Sequence, residues 1–311
     1  MAFSVLLCGS LGMDLRGKQL VIFGCGYVGT ALALRALDEG LRVTALTRSP
    51  SKADALRELG IRQVVQADIH EAGWEKELPA KSDFVVNCLS SGGGDLVSYR
   101  RTYLEGMRRI LSWAECQGVA IGTLLYTGST GIYPQCEGET VDETSPLEPA
   151  DARSGILREA EDLLWRQPVG ISRWFILRLA GIYGPGRHHV LDQVRSGAAS
   201  LPGSGDYRMN MAHRDDIVSA ILACLSAPPA VRNEIFNVAD GRPATKTEVV
   251  RWLCSQLGRT EPEFSGVGGS GKRPSGPADR IILSRKLTER LGWKPEYPTY
   301  LDGYARLLTE V

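Results

Sequence analysis

The alternation of short β-rich runs with helical runs is the feature that most constrains the fold of this 311-residue chain. Strands are expected over residues 18–23, 42–47, 63–66, 84–88, 124–127 and 174–177. Helices are expected over residues 28–38, 52–59, 96–114 and 154–165. Strands separated by helices of this length form βαβ units, in which the strands run parallel and helices cover both faces of the sheet. The pattern therefore predicts an α/β fold with a doubly wound parallel sheet.

The second half of the chain has a different character. Beyond Tyr183, glycine and proline become frequent and the helical runs are shorter, with one more strand expected over 235–238. We interpret this half as a smaller C-terminal substrate domain that is interleaved with the sheet domain. The predicted division assigns residues 18–184 and about 213–240 to the sheet domain, and residues 185–212 and 241–311 to the cap.

Two stretches are not expected to form regular structure. Residues 1–17 are mildly apolar and lack the basic region and cleavage site that are typical of a signal peptide, so we interpret them as a disordered extension, with Met13 as an alternative start. Residues 265–277 are rich in glycine and serine, which predicts a loop that is mobile or faces the substrate.

The overall composition excludes several classes of function. The 36 basic and 36 acidic residues cancel, which argues against a broadly electropositive surface for nucleic acid. The seven cysteines are odd in number and never spaced as CxxC, so neither a disulfide framework nor a zinc site is expected, and a reducing cytoplasm is the expected location. No apolar run approaches the roughly 20 residues that a membrane helix needs. The adjacent His188 and His189 lack a third ligand at a suitable spacing, so no metal is predicted.

The stretch GCGYVG at residues 24–29 follows the first predicted strand and opens the first predicted helix. In that context a GxGxxG sequence predicts a dinucleotide-binding loop. One glycine permits the tight turn, one lets the backbone approach a pyrophosphate, and one lets helix and strand pack closely, while the helix N-terminus attracts the phosphates. The predicted cofactor contacts in this stretch are Gly24, Gly26, Tyr27, Val28 and Gly29.

The end of the second strand indicates which dinucleotide is bound. An acidic residue there would bind the ribose 2′-hydroxyl of NAD. The chain has Thr47-Arg48-Ser49 instead, and the Arg48 guanidinium can pair with a 2′-phosphate, so NADP is predicted, with NAD as the alternative. A carboxylate after the third strand is placed to accept a hydrogen bond from the adenine amino group. The cofactor contacts predicted after the third and fourth strands are Asp68, Ile69, Cys88, Leu89 and Ser90.

Together with GCGYVG, three further stretches carry a resemblance: YTGSTGIYP at 126–134, LRLAGIYGPGR at 177–187, and HRDDI at 213–217 followed by FNVADG at 236–241. The chain resembles the extended and atypical branches of the short-chain dehydrogenase/reductase superfamily, the NAD-dependent epimerase/dehydratase family. The resemblance implies a Rossmann domain with a smaller substrate domain, hydride transfer between a sugar carbon and nicotinamide, and a homodimer. It also implies that the Ser129 hydroxyl hydrogen-bonds the reacting oxygen, four residues before Tyr133.

The chain departs from the family at its general acid. The family uses a Tyr-x-x-x-Lys pair, in which the lysine lowers the pKa of the phenol. Here the matching positions hold Arg153 and Leu157. One interpretation is an active enzyme with a different acid, and the other is a dinucleotide-binding protein that has lost catalysis and acts as a redox sensor or scaffold. The candidate acids are Tyr133, Tyr183 and His213.

The substrate is less well defined by the sequence. Nucleotide-sugar members of the family usually carry an asparagine where this chain has Gly181, so the expected substrate is a sugar-like or small carbonyl or hydroxyl compound. Arginine side chains suit phosphate or carboxylate, and Arg187, Arg208 and Arg280 could hold an anionic group in the cap. The predicted substrate-binding residues are Thr130, Arg187, His213 and Arg280.

Overall fold

The computed structural model describes residues 12–149, 151–266 and 278–309. Strands extend over Gln19–Phe23 (β1), Arg42–Thr47 (β2), Gln63–Gln66 (β3), Lys81–Asn87 (β4), Ala120–Ser129 (β5), Glu137–Val141 (β6), Ile171–Leu179 (β7), Gly181–Tyr183 (β8), Ser200–Leu201 (β9), Arg208–Met209 (β10), Met211–His213 (β11), Glu234–Val238 (β12), Ala244–Thr245 (β13), Glu263–Phe264 (β14) and Asp279–Ile282 (β15). Helices extend over Tyr27–Asp38 (α1), Pro50–Glu58 (α2), Leu96–Arg100 (α3), Gly106–Cys116 (α4), Ala152–Trp165 (α5), His189–Arg195 (α6), Arg214–Leu225 (α7), Lys246–Leu257 (α8), Arg285–Leu291 (α9) and Tyr300–Thr309 (α10).

The central sheet has seven parallel strands in the order β12-β7-β5-β4-β1-β2-β3. The order reverses direction between β1 and β4, because β2 and β3 lie on one side of β1 and the later strands on the other. In open sheets of this kind, ligands bind at such a switch point, outside the carboxyl ends of the strands. The predicted fold class, a doubly wound parallel Rossmann sheet, is confirmed.

Three apolar clusters form the core of the described residues. The first lies on the face of the sheet that α1 and α7 cover, and includes Leu32 and Ile221. The second lies on the opposite face beneath α4 and α5, and includes Ile110 and Leu164. The third is formed mainly by α6, α8 and α10 and does not include any of the seven sheet strands. The division into domains stays a prediction.

The predicted elements of the first half occur in the expected order, with differences at their ends. The helix expected over 96–114 is formed by α3, a π-helical turn over Arg101–Glu105, and α4. Strands β5 and β7 are longer than expected. Their apolar pattern is interrupted in the sequence by Gly122, Arg173 and Arg178, and both arginine side chains are nevertheless buried in the folded chain.

The structure describes only part of each of the two segments that were expected to be irregular. Residues 1–11 and 267–277 lie outside the described residues. The last part of the predicted extension makes contacts, since the Met13 N–H donates to the Ser226 carbonyl at 2.7 Å and Leu15 packs against the first core cluster. Among the described helices, none combines the length and apolarity needed to cross a bilayer.

Candidate dinucleotide and substrate site

The three glycines of the loop between β1 and α1 have three different physical roles. Gly24 has a φ of +88°, and a Cβ there would lie 2.7 Å from the Cys88 carbonyl oxygen. A Cβ at Gly29 would overlap the carbonyl oxygen of Gly24, so this glycine allows α1 to pack closely on the turn. A Cβ at Gly26 would meet no atom within 4 Å. The backbone at Gly26 is therefore open to an approaching ligand, as a pyrophosphate-binding loop requires.

A cleft of about 380 Å³ opens beside this loop, at the carboxyl ends of β1 to β4. It brings together most of the residues that the sequence predicts as cofactor contacts. Val28 and Gly29 lie buried within α1 rather than on the cleft wall, and Tyr27 lies outside the cleft, facing the segment after β8. The predicted residues that line the cleft are Gly24, Gly26, Arg48, Asp68, Ile69, Cys88, Leu89 and Ser90.

The cleft also has a wall that the sequence analysis missed. Ser98, Arg101 and Thr102, from α3 and the π-helical turn, close it opposite the glycine loop. No motif marks these residues, because only the packing of this helix beside β4 brings them to the cleft. Arg101 donates to the Asp68 carboxylate at 3.3 Å, so Asp68 already has a partner on its helix-facing side.

Arg48 lies at the open rim of the cleft. Its side chain is exposed and forms no hydrogen bond or ion pair with any residue in the described part of the chain. Ser49 caps the N-terminus of α2 by accepting from the Lys52 N–H, and Lys52 also lines the cleft. The rim therefore combines two cations with the positive end of a helix dipole, an arrangement that favours an anion.

Ser129 ends β5 and is half-buried. Its Oγ accepts a hydrogen bond from the Gly131 N–H at 3.0 Å, which fixes the side chain while its own proton is left to donate. The neighbouring Thr130 hydroxyl donates to the Leu179 carbonyl at 3.3 Å. Ser129 is thus held in a defined position, whereas the proton of Thr130 is already used within the fold.

The environment of Tyr133 argues against a role as proton donor. Its hydroxyl donates to Asn237 Oδ1 at 2.8 Å and accepts from Arg178 Nη1 at 3.0 Å, and the side chain is buried. Burial also raises the pKa of Tyr133 above its ordinary value, even though the Arg178 guanidinium opposes this shift. The phenol is therefore part of a buried network centred on the Arg178–Glu161 ion pair.

Tyr183 and His213 are buried where β8, β11 and α10 meet. The Tyr183 hydroxyl is packed against the backbone of Gly303, has no hydrogen-bond partner in the described ranges, and has its pKa raised by burial. His213 is 1% exposed; it caps α7 by accepting from the Asp215 N–H at 3.3 Å, and its ring packs on Tyr297. Both side chains are buried, so their prediction as acids or substrate contacts is not supported by this geometry.

Arg153 and Leu157 are the residues that the resemblance matches to the family's acid pair. Leu157 is buried in the first core cluster. Arg153 Nη2 donates to the Gly94 carbonyl at 3.0 Å, and its guanidinium stacks 4.8 Å from the centre of the Tyr99 ring. Because a guanidinium does not release its proton near neutral pH, these two positions hold a fixed charge and an apolar side chain, and they form no proton shuttle.

The arginines predicted to hold an anionic substrate have separate environments. Arg280 is buried and hydrogen-bonds the Tyr133 carbonyl, so its prediction as a substrate contact is not supported. Arg208 pairs with Asp279 at 2.8 Å. Arg187 is exposed and lies over the ring of Tyr27.

The buried Asp240 carboxyl is expected to make the stability of the fold decrease as pH rises. Its side chain is 4% exposed and lies near Tyr183 and Asp216, and burial raises its pKa to about 8. A carboxyl group with a raised folded pKa stabilises the fold below its unfolded pKa of about 4, and this contribution is lost as pH rises to 8. We expect the unfolding free energy to fall between these pH values by up to about 1.4 kcal/mol per pH unit, and Asp240→Asn to flatten the slope.

Denaturant titrations of both proteins across this pH range measure the slope. Asp206→Asn, at an exposed loop position, is the matched control and should leave the slope unchanged. An identical slope in the wild type and in Asp240→Asn would show that this carboxyl does not take up a proton on folding.

Comparisons with known proteins agree with this architecture. A family model described as NAD dependent epimerase/dehydratase family matches residues 20–239. The protein YeeZ of Escherichia coli K12 is 29% identical over 293 residues, which cover 90% of this chain and 97% of YeeZ.

Two solved structures show the same fold. The UDP-glucose 4-epimerase of Thermotoga maritima, solved with UDP-glucose, has a TM-score of 0.78 and 20% identity, covering 94% of this chain and 97% of its own. The UDP-glucuronic acid 4-epimerase of Bacillus cereus, solved with NAD, has a TM-score of 0.76 and 18% identity, covering 92% and 94%. The family match confirms the resemblance and supports an NAD(P)-dependent enzyme of the epimerase, dehydratase or reductase type. The chain belongs to the NAD-dependent epimerase/dehydratase family.

Proposed function

We propose that this chain is an NADP(H)-dependent oxidoreductase that acts on a sugar-like or small carbonyl or hydroxyl compound. The observation that carries the proposal is the open backbone at Gly26, which leads into a cleft lined by the ends of four strands. The related epimerase that was solved with UDP-glucose supports a sugar-like substrate. Gly181, which replaces the family's usual asparagine, leaves the class of substrate broader than nucleotide sugars.

The preference for NADP rests on Arg48. A charge-assisted hydrogen bond to a 2′-phosphate contributes about 1.5–3 kcal/mol, so we expect NADPH to bind roughly tenfold or more tightly than NADH. Arg48→Ala should remove most of this difference and leave NADH affinity nearly unchanged. Fluorescence titration of both cofactors against both proteins measures it. Tighter binding of NADH to the wild type would contradict the preference.

The proposed reaction needs three contributions from the chain in addition to a bound nicotinamide, which would supply or accept the hydride. The backbone around Gly26 and the cleft hold the cofactor, and Ser129 donates its proton in a hydrogen bond to the reacting oxygen of the substrate. The positive charge of Arg153 is fixed and can stabilise negative charge that develops on that oxygen, although it gives up no proton. Solvent water would supply or accept the proton at that oxygen. General acid catalysis typically contributes about 10²–10⁴-fold, so a slower reaction without the usual tyrosine is physically reasonable.

Replacement of Ser129 tests the catalytic part of the proposal. NADPH oxidation with a panel of sugar and small carbonyl compounds should identify a turned-over substrate, and Ser129→Ala should lower kcat/KM for it by roughly 100-fold, about the effect of losing one oxyanion donor. NADPH affinity should stay within about twofold of the wild-type value, which corresponds to a change of less than about 0.4 kcal/mol in binding free energy. Ser226→Ala, which removes a hydroxyl bonded to Ala223 on α7, is the control. An unchanged kcat/KM in Ser129→Ala would remove Ser129 from the mechanism.

A second candidate function is a non-catalytic redox sensor or scaffold that binds the dinucleotide. The observation that favours it is the replacement of the family's acid pair by Arg153 and the buried Leu157. Tight NADPH binding together with inactivity across the whole panel would favour the sensor over the enzyme.

A further inference from the structure

An ion pair joins the end of β3 to the helical wall of the cleft. Asp68 follows β3, and Arg101 begins the π-helical turn, a feature that is frequent at functional sites. Arg101 Nη2 donates to Asp68 Oδ2 at 3.3 Å, and both residues line the cleft. Because Arg101 is exposed and Asp68 only half-buried, this pair contributes little to the stability of the fold. What the pair does is restrict where the Arg101 guanidinium lies within the cleft.

Both oxygens of the Asp68 carboxylate already accept hydrogen bonds. Oδ1 accepts from the His70 N–H at 2.9 Å, and Oδ2 accepts from Arg101. The sequence analysis expected this carboxylate to accept from the adenine amino group. In the folded chain its hydrogen bonds instead hold the turn after β3 and the Arg101 guanidinium, which makes Asp68 a positioning residue.

The Arg101 guanidinium offers the cleft a flat face. Its N–H donors lie in the plane of the group, so the bond to Asp68 engages one edge and leaves the faces to other contacts. The ends of β2 and β3 supply an apolar surface to the same cleft, through the buried Leu46 and Ile69. A cavity lined by a planar cation and by apolar side chains suits a planar aromatic ring, because guanidinium groups stack on aromatic faces.

The expected positions of the phosphates indicate which ring this is. The proposed site places the diphosphate over Gly26 and the 2′-phosphate at Arg48, which follows β2. The adenine is attached to the ribose that carries the 2′-phosphate, so the ring must lie close to Arg48. Strand β3 is the neighbour of β2, and Asp68 and Arg101 meet at its end. The adenine is therefore the part of the dinucleotide that this end of the cleft would receive.

We propose that Arg101 holds the adenine by stacking on its face, and that Asp68 positions Arg101 rather than binding the adenine amino group. The inference rests on the proposed dinucleotide binding and adds a specificity-determining residue to that site. It means that the cleft recognises a flat base and not the amino group, so a dinucleotide that carries hypoxanthine should bind as well as one that carries adenine.

Three ligands and four variants test the inference by calorimetric titration. The ligands are NADPH, NADH and the deamino analogue of NADPH, in which hypoxanthine replaces adenine. Arg101→Met removes both the charge and the planar group, whereas Arg101→Lys keeps the charge and removes the planar group. Asp68→Asn weakens the bridge but keeps an acceptor for the His70 N–H. The matched control is Arg108→Met, which removes an exposed guanidinium that pairs with Glu105 at 2.8 Å and does not line the cleft.

The wild type should bind NADPH and its deamino analogue within about twofold of each other. Arg101→Met and Arg101→Lys should each lose roughly tenfold in affinity for all three ligands, the effect of one stacked base. Asp68→Asn should lose less, by the same factor for NADPH and for the deamino analogue. Arg108→Met should match the wild type.

Four results would contradict these expectations. Unchanged affinities in Arg101→Met would overturn the inference and leave the proposed function intact. A loss that Arg101→Lys restores, or a loss confined to NADPH, would assign Arg101 to a phosphate and overturn the stacking. Binding of the deamino analogue to the wild type that is tenfold weaker than that of NADPH would show that the amino group is bound, and would overturn the role given to Asp68. A wild type that binds none of the three ligands would overturn the proposed function itself and this inference with it.

Discussion

Replacing Gly26 with aspartate is expected to abolish dinucleotide binding while the fold is retained. A Cβ at this position would meet no atom within 4 Å, so we expect the substitution to leave the fold intact. It places a carboxylate where the diphosphate must approach the backbone. Two like charges about 4 Å apart repel by about 4 kcal/mol at an effective dielectric constant of about 20, which corresponds to a loss of roughly 1000-fold in affinity.

Calorimetric titration with NADPH and a thermal unfolding curve together measure this result. Gly29→Ala is the informative control, because its Cβ would overlap the Gly24 carbonyl oxygen and the effect should appear mainly as a lower melting temperature. Gly26→Asp should melt close to the wild-type temperature. NADPH binding that survives Gly26→Asp would show that the pyrophosphate does not lie over this loop, and the assignment of the cleft would have to be abandoned.

The features predicted correctly from the sequence are those encoded by local chemistry. The GxGxxG loop is recognisable because its glycines have separate physical roles. The turn itself requires Gly24 and Gly29, where a Cβ would clash, whereas Gly26 leaves the backbone open to a ligand. The β-rich runs are recognisable because strands of a parallel sheet are buried on both faces. These signals are sufficient for the fold class, and most of the predicted cofactor contacts line the cleft.

The features that were missed depend on packing between distant segments. Ser98 and Thr102 reach the cleft only because their helix lies beside β4, and neither belongs to a motif. Arg280 is of a residue type that commonly binds anions, yet it is buried against the Tyr133 carbonyl, 147 residues away in the sequence. The type of residue predicts what a side chain can bind, whereas burial decides whether a ligand can reach it.

The residues around the position expected for the general acid form two groups that differ in burial. Ser129 and Arg153 are half-buried, and Arg153 contacts Gly94, which lines the cleft. Tyr133 and the side chains around it belong to the scaffold that holds the end of β5. The scaffold around the end of β5 is intact although the family's usual tyrosine is absent. It contains the buried Arg178–Glu161 ion pair, and removing that pair should lower the stability of the fold.

Glu161→Gln is expected to destabilise the fold by about 3–5 kcal/mol, the cost of leaving a buried charge without its partner. Arg178 and Glu161 are almost fully buried, and two guanidinium nitrogens of Arg178 donate to the two carboxylate oxygens at 3.0 and 2.7 Å. A third nitrogen donates to Tyr133, so the uncompensated charge would also disturb the turn after β5. Urea denaturation followed by tryptophan fluorescence measures the loss.

The double variant Glu161→Gln/Arg178→Met separates the unpaired charge from lost packing. If the charge dominates, removing Arg178 as well should recover at least about 1 kcal/mol relative to the sum of the two single variants, as expected for groups in direct contact. Glu159→Gln supplies the control, because Glu159 lies on the same helix and its pair with Arg100 is exposed, so its loss should cost less than about 1 kcal/mol. Strictly additive losses would mean that the Arg178 guanidinium finds another partner when Glu161 is removed, and the ion pair would then not be the element that holds this end of the sheet.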